Sequence, residues 1–537
     1  MTEIPDLLIR GARVHTMDRD RPAAEAVAVR GGTVVAVGSD REVGALAGRR
    51  TEVVDGKGMT VTPGLIDSHQ HPVMALSQSH GLDLTGVEDL GELRSVLSAY
   101  SADLPEDAWV IASGTDYNAF ERGIPHRDDI DEAVGGRPAM LTMMDAHNAL
   151  LSSEGLRRAG ITGPVSFADH SEIDVDSDGR PTGYLREMSA VMLAREAVPE
   201  MDVEACAREL RRTMEHQNAL GLTGLHVLDQ MPNTVETLQL MSERDELPVR
   251  VLLAPWALPG RVQDSLEIVR DLRNRSGRLL RTAAVKFLLD GTIDGGAAWL
   301  HHPDCHGEGD RPIWRDPQQY RDAVQAVAGL GLPSFTHAIG DRAVTYALDT
   351  YGRVGPPALG RHRIEHAELV HDDDVPRFAE LDVVASMQPT HMDWTFSDGS
   401  GNWSGRVGVK RLPRAWRYGD IAAAGGRVAL GSDWPIAAYD PRPIMAGARL
   451  RRPAGEPMRP AVAPEQALSP GQALAGYTRW AAYGTGEEAA SGIVREGARA
   501  DLTAFVGDPL TTAPDDLPGL PVALTVVDGR VVHRLDR

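Results

Sequence analysis

The sequence predicts an α/β fold: a TIM (β/α)8 barrel, a small composite β-sandwich made from the two chain ends, and a subdomain inserted after the first barrel strand. Three observations predict it. Eight short apolar runs alternate with helix-like stretches through the middle of the chain. Both ends alternate apolar and polar residues between Gly and Asp turns. The first two of the eight runs stand much further apart than one helix and its loops require.

The N-terminal strands are read at Leu7-Leu8-Ile9, Val27-Ala28-Val29 and Val34-Val35-Ala36-Val37. The C-terminal ones are read at 500–505, 523–527 and 531–532, the last two joined by the turn dipeptide Asp528-Gly529. A lone hairpin is barely stable in water, so the two ends are expected to pair into one sandwich, 1–61 with 485–537. The eight runs are 64–67, 224–227, 249–253, 284–289, 334–337, 363–366, 383–386 and 428–433, within a barrel domain of 62–484. Their alternation with helices implies parallel strands joined by crossovers. A barrel of this kind carries its active site at the C-terminal ends of its strands. The long gap puts the inserted subdomain at 76–199, with a strand at 139–143 and a short helix at 153–159. Residues 396–410, rich in Gly and Ser, read as a long loop near a site.

The chain has 537 residues, a formal net charge of -22 and 42% apolar residues. That charge argues against a nucleic-acid partner, because phosphates are bound by clustered Lys and Arg. Two cysteines, Cys206 and Cys305, are too few for a disulfide framework and fit a reducing compartment. Met1 to Arg10 lacks the basic and apolar regions of a signal peptide. No run of about 18 apolar residues offers a membrane span. The reading is a cytoplasmic protein acting on a small molecule, without membrane or nucleic-acid partners, with a homodimer as the base-rate assembly.

Candidate metal ligands stand at strand ends. His69-Gln70-His71 follows the first run, and in extended chain residues i and i+2 face the same way, so both imidazoles can meet one ion. His337 ends 334–337 and His366 ends 363–366, the same position relative to their strands. Asp433 closes the last run as a candidate ligand and proton shuttle. Lys286 is one of only three lysines among 55 basic residues, and it sits in an apolar strand. A buried amine deprotonates readily and can capture carbon dioxide as a carbamate able to bridge two metal ions. Arginine cannot, because its guanidinium stays protonated. His147, Gln388, His391 and Trp434 are read as lining a substrate pocket, with Trp394 and Trp403 joining Trp434 as an apolar wall. The stretch His301 to His306 is read as a loop rimming that pocket.

Five segments carry a resemblance: Pro63 to His71, Val285 to Thr292, His337 to Ala343, Ile364-Glu365-His366 and Gly431 to Pro435. Asp145-Ala146-His147-Asn148, Pro181 to Glu187 and Ala498 to Leu502 add to it. Together they resemble the amidohydrolase superfamily, and more narrowly its family 3 branch, which includes N-substituted formamide deformylase-like proteins. The resemblance implies a barrel with a composite sandwich. It implies one metal among His69, His71 and Asp433, a second between His337 and His366, and Lys286 as a carboxylated bridge. Gln70 departs from many relatives, and strand geometry points it away from the metals.

The reaction expected is hydrolysis of an amide or N-formyl bond, a carbon–nitrogen bond other than a peptide bond. Water activated by one or two divalent ions attacks the carbonyl carbon. Asp433 serves as general base and then acid, and His337 or a metal stabilises the oxyanion. Zinc suits the donor set, as do iron, manganese and cobalt. A cyclic-amide hydrolase, a deaminase, a metal-dependent isomerase or decarboxylase, and a silent binding or regulatory protein on the same scaffold remain open alternatives.

Overall fold

The computed structural model describes residues 4–79, 81–120, 124–229 and 231–536. Its framework is eight parallel strands, each read as an apolar run above: β1 (Leu65–Gln70), β2 (Leu222–Val227), β3 (Arg250–Leu253), β4 (Val285–Leu288), β5 (Ser334–Ala338), β6 (Arg363–His366), β7 (Val384–Met387) and β8 (Arg427–Leu430). Nearly every residue in them is buried. This is why they read as continuous apolar runs and not as alternating ones.

Strands β1 to β3 form one sheet and β4 to β8 another, all in parallel register. Short strands continue the order at the seam between β3 and β4: Leu280–Thr282 pairs with β3, and Trp256–Ala257 pairs with β4. At the other seam the Asp433 N–H donates to the His69 carbonyl and the His71 N–H to the Trp434 carbonyl, each at 2.8 Å. Helices fill the crossovers, among them Thr234–Glu243, Val262–Asn274, Pro317–Gly329 and Asp341–Val354. Their starts are written locally. Asp202 caps Val203–Ala219, and Asp316 caps Pro317–Gly329 with proline at its first position.

The two chain ends share one sheet. Met59–Pro63 runs antiparallel to Leu502–Val506 and parallel to Arg13–His15. A second sheet holds Leu7–Arg10, Ala26–Arg30, Thr33–Gly38 and Glu52–Asp55. Leu7, Ile9, Val27 and Val29 from one sheet pack with Val61, Leu502, Ala504 and Val526 from the other. The Asp528-Gly529 turn joins Val522–Val527 to Arg530–Arg534, and both turn residues have positive φ, as tight hairpins require.

Between β1 and β2 lies a six-stranded sheet, from Leu82–Asp83 through Val110–Thr115, Ala139–Met143 and Ala149–Leu151 to Pro181–Arg186 and Glu172–Val175. It has its own buried clusters. The expected strand at 139–143 and the helix Ser153–Arg158 are present. Within 76–199, residues 80 and 121–123 lie outside the described residues. The stretch 396–410 is not a plain loop: Asn402–Val407 is helical and buries Trp403. No helix among the described residues is long and apolar enough to cross a membrane.

The seam between β8 and β1 is tight. A methyl group added to Gly431 would sit 2.7 Å from the His69 backbone nitrogen and 2.9 Å from Asp67 Oδ1. Gly431→Ala is therefore expected to cost about 1–3 kcal/mol, read as a lower midpoint in urea unfolding. An unchanged midpoint would mean that the two strands are not locked together here.

Candidate active site

Six side chains distant in sequence, His69, His71, Lys286, His337, His366 and Asp433, are buried at the C-terminal ends of the parallel strands. The innermost group is close. His69 Nε2 and His71 Nε2 lie 3.2 Å apart, and Asp433 Oδ1 lies 3.3 and 3.1 Å from them. Lys286 Nζ is 3.4 Å from His69 Nε2. The His366 ring centroid stands 4.8 Å from His69 and 4.5 Å from His337. His391 Nε2 lies 3.8 Å from Asp433 Oδ2, as does His366 Nδ1.

The backbone explains how they converge. β1 runs on through His69 to Gln70, so the pleat turns His69 toward the centre while Gln70 turns away. Gln70 donates to Asp67 Oδ2 at 2.7 Å and accepts from Gln217 at 3.0 Å. Lys286 lies within β4, and His337 lies within β5 one residue before its end. His366 ends β6. Asp433 does not close β8 as the sequence suggested: the strand stops at Leu430, and Asp433 reaches the site from a left-handed φ of 59°.

Electrostatics keep these groups in ligand form. Burial, followed by the charges of Lys286 and other neighbours, holds His69 well below its ordinary pKa. Burial does the same for His337 and His366. All three are then neutral imidazoles, the state a metal requires. Burial alone would raise the Asp433 carboxyl, but His69 and His71 outweigh it and keep Asp433 ionised. Lys286 is brought down to about 8 by burial, so a minor neutral fraction is within reach near pH 7.

The donor set fits a divalent ion. Zinc–nitrogen and zinc–oxygen bonds of about 2.0–2.2 Å at tetrahedral angles separate donors by about 3.3–3.6 Å, close to the 3.1–3.3 Å among His69, His71 and Asp433. His69 Nδ1–H donates to Glu365 Oε2 at 2.8 Å, which leaves its Nε2 lone pair facing inward. His366 Nδ1–H likewise donates to Gln388 Oε1 at 2.9 Å. Asp433 Oδ1 is buried without a hydrogen-bond partner. His69, His366 and Asp433 each offer one atom within 4.8 Å of the others.

The remaining expected residues divide. His147 belongs to the site: its ring centroid is 4.8 Å from that of His337. His391 stands between Asp433 and Glu368, 4.0 Å from the latter. Gln388 is spent on holding His366. The three tryptophans form no common wall. Trp403 is buried on Trp416 and donates to Glu368, Trp394 tilts over His391, and Trp434 meets Tyr439 edge to face. In the 301–306 stretch, His301 bonds to Thr345 and Asp304 pairs with Arg406. Sequence reasoning missed Glu365, Arg363, Asp290 and Glu187. Asp290 accepts backbone N–H groups from Trp299, Ile339 and Gly340, which ties the end of β5 to the segment after β4. Glu365, Asp290 and Glu187 were signalled only by their places inside the quoted motifs, and Arg363 only by its place in the run 363–366.

The chain matches the amidohydrolase family over residues 52–533. It is 28% identical to N-substituted formamide deformylase of Arthrobacter pascens, across 98% of both chains. Among solved structures, an uncharacterized metal-dependent hydrolase of Pyrococcus horikoshii superposes with a TM-score of 0.72 at 22% identity, covering 95% of this chain and 99% of that one. Atrazine chlorohydrolase of Arthrobacter aurescens, solved with zinc, gives 0.55 at 16% identity over 98% of this chain and 95% of its own. At those identities the structural likeness concerns the fold.

The Glu365 bond to His69 is the most direct control on the site. Glu365→Gln is expected to weaken divalent-ion binding by about 10–100-fold, measured by competition with a chromogenic chelator. Unchanged affinity would remove Glu365 from that role.

Proposed function

The chain belongs to the amidohydrolase family and is an enzyme of that class, and from that premise we propose that it hydrolyses an amide or N-formyl bond of a small molecule at a divalent metal centre. The observation that carries this reading is the inner triangle of His69 Nε2, His71 Nε2 and Asp433 Oδ1, each pair 3.1–3.3 Å apart in a buried site. The N-formyl preference takes support from the formamide deformylase relative, similar along its whole length. Zinc takes support from the imidazole-rich donors and from the zinc-bound atrazine chlorohydrolase structure.

In this reading His69, His71 and Asp433 would hold one ion and His337 and His366 a second, and Lys286, once carboxylated, would supply a further ligand oxygen. Bound there, a divalent ion supplies a Lewis acid that polarises a carbonyl and lowers the pKa of water. Asp433 uses Oδ1 toward His69 and His71, which leaves Oδ2 to take a proton from attacking water and return it to the leaving nitrogen. His391 Nε2 lies 3.8 Å from that oxygen and faces its charge before the proton is taken up. His337 stabilises the oxyanion developing on the substrate carbonyl, and His147 and Trp434 contact the substrate. The eight strands close as a barrel through the β8–β1 seam. Residues 1–61 and 485–537 form the composite sandwich, 62–484 the barrel, and 76–199 the insert.

Elemental analysis of the purified protein is expected to return one or two divalent ions per chain, and a panel of amides and N-formyl amines to reveal turnover. Asp433→Asn, compared under metal saturation, is expected to lower kcat by at least about 100-fold while the circular dichroism spectrum is retained. Full activity in that variant would remove the proton shuttle. Absence of stoichiometric metal would remove the metal centre.

A further inference from the structure

Resting on the hydrolase reading above, we propose that Glu187 is a positioning residue. It grips His147 by Nδ1, so that Nε2 of the same ring is presented to the substrate beside His337, and Gly291 makes room for that grip.

Glu187 occupies the N-cap of the helix Met188–Arg195 and breaks every rule of that position. An N-cap is ordinarily Ser, Thr, Asp or Asn on extended backbone, its side chain bonded to the first turn. Glu187 has φ 66° and ψ 162°, a region almost reserved for glycine, and its side chain caps nothing. The carboxylate turns instead to His147, whose Nδ1–H donates to Oε2 at 3.0 Å. Both residues are buried.

The pair is held from behind. The Glu187 N–H donates to Asn148 Oδ1 at 3.0 Å. Asn148 Nδ2 in turn donates to Asp145 Oδ2 and to the Tyr117 hydroxyl, each at 2.8 Å. Asp145 Oδ1 accepts the His147 N–H at 3.0 Å, and Ala146 between them has a positive φ of 54°. Both members of the pair therefore sit on constrained backbone.

The second carboxylate oxygen, Oε1, is buried with no hydrogen-bond partner and lies against Gly291. A Cβ at Gly291 would come 2.0 Å from it. Gly291 also carries the carbonyl 3.5 Å from His337 Nε2, so one glycine touches both sides of the arrangement. An unpartnered buried oxygen and a glycine-type conformation in glutamate are each unfavourable. What the two together secure is the orientation of one imidazole. Its ring lies 4.8 Å from His337, and its Nε2 has no hydrogen-bond partner among the described residues. That nitrogen is left for the substrate.

The competing account is that Glu187 and His147 merely staple the insert to the barrel. Selective 15N-histidine labelling, with His147 assigned through His147→Gln, reads the ring tautomer in the resting protein. The Nδ1–H tautomer is expected in the wild type and in Glu187→Gln, which keeps an acceptor. It is expected to be lost in Glu187→Leu, and in Gly291→Ala, which displaces the carboxylate without removing it. On the best amide found, Glu187→Leu and Gly291→Ala should lower kcat by about 100-fold with KM within about threefold, while Glu187→Gln stays within about tenfold. Metal content should be retained in all three, and any fall in Tm should not track the fall in kcat. Persistence of the tautomer in Glu187→Leu and Gly291→Ala, or unchanged kcat in both, would overturn the proposal. So would activity falling only in step with Tm and metal content, the signature of a staple. If Glu187→Leu fails to fold, Gly291→Ala against Glu187→Gln decides alone. If the wild type cleaves no amide, the reaction assignment fails, and the tautomer still decides whether Glu187 orients His147.

Discussion

Arg363 is fully buried among the parallel strands, and the site is built around its charge. Its guanidinium bonds both oxygens of Glu365 at 2.9 and 2.8 Å, the Ser68 carbonyl at 2.7 Å, Ser386 Oγ at 3.0 Å and His226 Nδ1 at 2.9 Å. It lies 3.9 Å from the centre of the Phe335 ring. One side chain thereby joins β1, β2, β5, β6 and β7. A buried ion pair of this kind is weak as a source of net stability, because both charges must be desolvated. Its value is orientation. Glu365, fixed by Arg363, accepts from His69 Nδ1 and so decides which nitrogen of His69 faces the centre. Loss of either charge would leave the other buried and unpaired.

From that pair outward, the geometry follows in steps. Neutral imidazoles crowd together only where no water competes, and burial keeps His69, His337 and His366 unprotonated. Asp433 stays ionised in the same low-dielectric place because His69 and His71 stand against it. Lys286 would repel a metal if charged. Burial brings it to about 8, where neutral amine is accessible. The site is thus a balance in which each group's charge state is set by its neighbours.

The strands were legible because parallel strands covered on both faces must be apolar along their whole length. The buried polar groups of the site were legible because they punctuate those runs. His337 and His366 stand out as polar residues where apolar sequence ends, and Lys286 stands out in a chain that otherwise uses arginine. What could not be read were the second partners. Glu365 and Arg363 look like ordinary polar residues of a strand until the packing of the parallel strands buries them. Gln388 was read as facing substrate, because nothing in its neighbourhood announces a bond to a histidine 22 positions away. The inserted sheet was recognised only at 139–143. Of its other strands, Val110–Thr115 and Pro181–Arg186 are broken by Gly114 and Gly183 and the remaining three have two to four residues, so periodicity never accumulates. Trp403 was assigned to a pocket wall because a Gly- and Ser-rich surround resembles a loop, whereas the residues between the glycines form a helix that buries it.

Backbone strain marks the same place independently. Among the non-glycine residues with positive φ, Ala146, Glu187, His366, Ala367 and Asp433 all border the site. At His366 the Ala367 N–H donates to the Glu365 carbonyl at 3.0 Å around a φ of 72°, a γ-turn of the rarer, strained hand. Such conformations cost on the order of 1–3 kcal/mol each. They survive only where surrounding packing and hydrogen bonds over-determine them. The β-sheet framework supplies that constraint on one side and the inserted sheet on the other. His366 and Asp433 are strained on the barrel side, and Ala146 and Glu187 on the insert side. The two strained surfaces meet where the His147 ring stands 4.8 Å from His337, so the inserted sheet helps to wall the site and is more than a distant appendage.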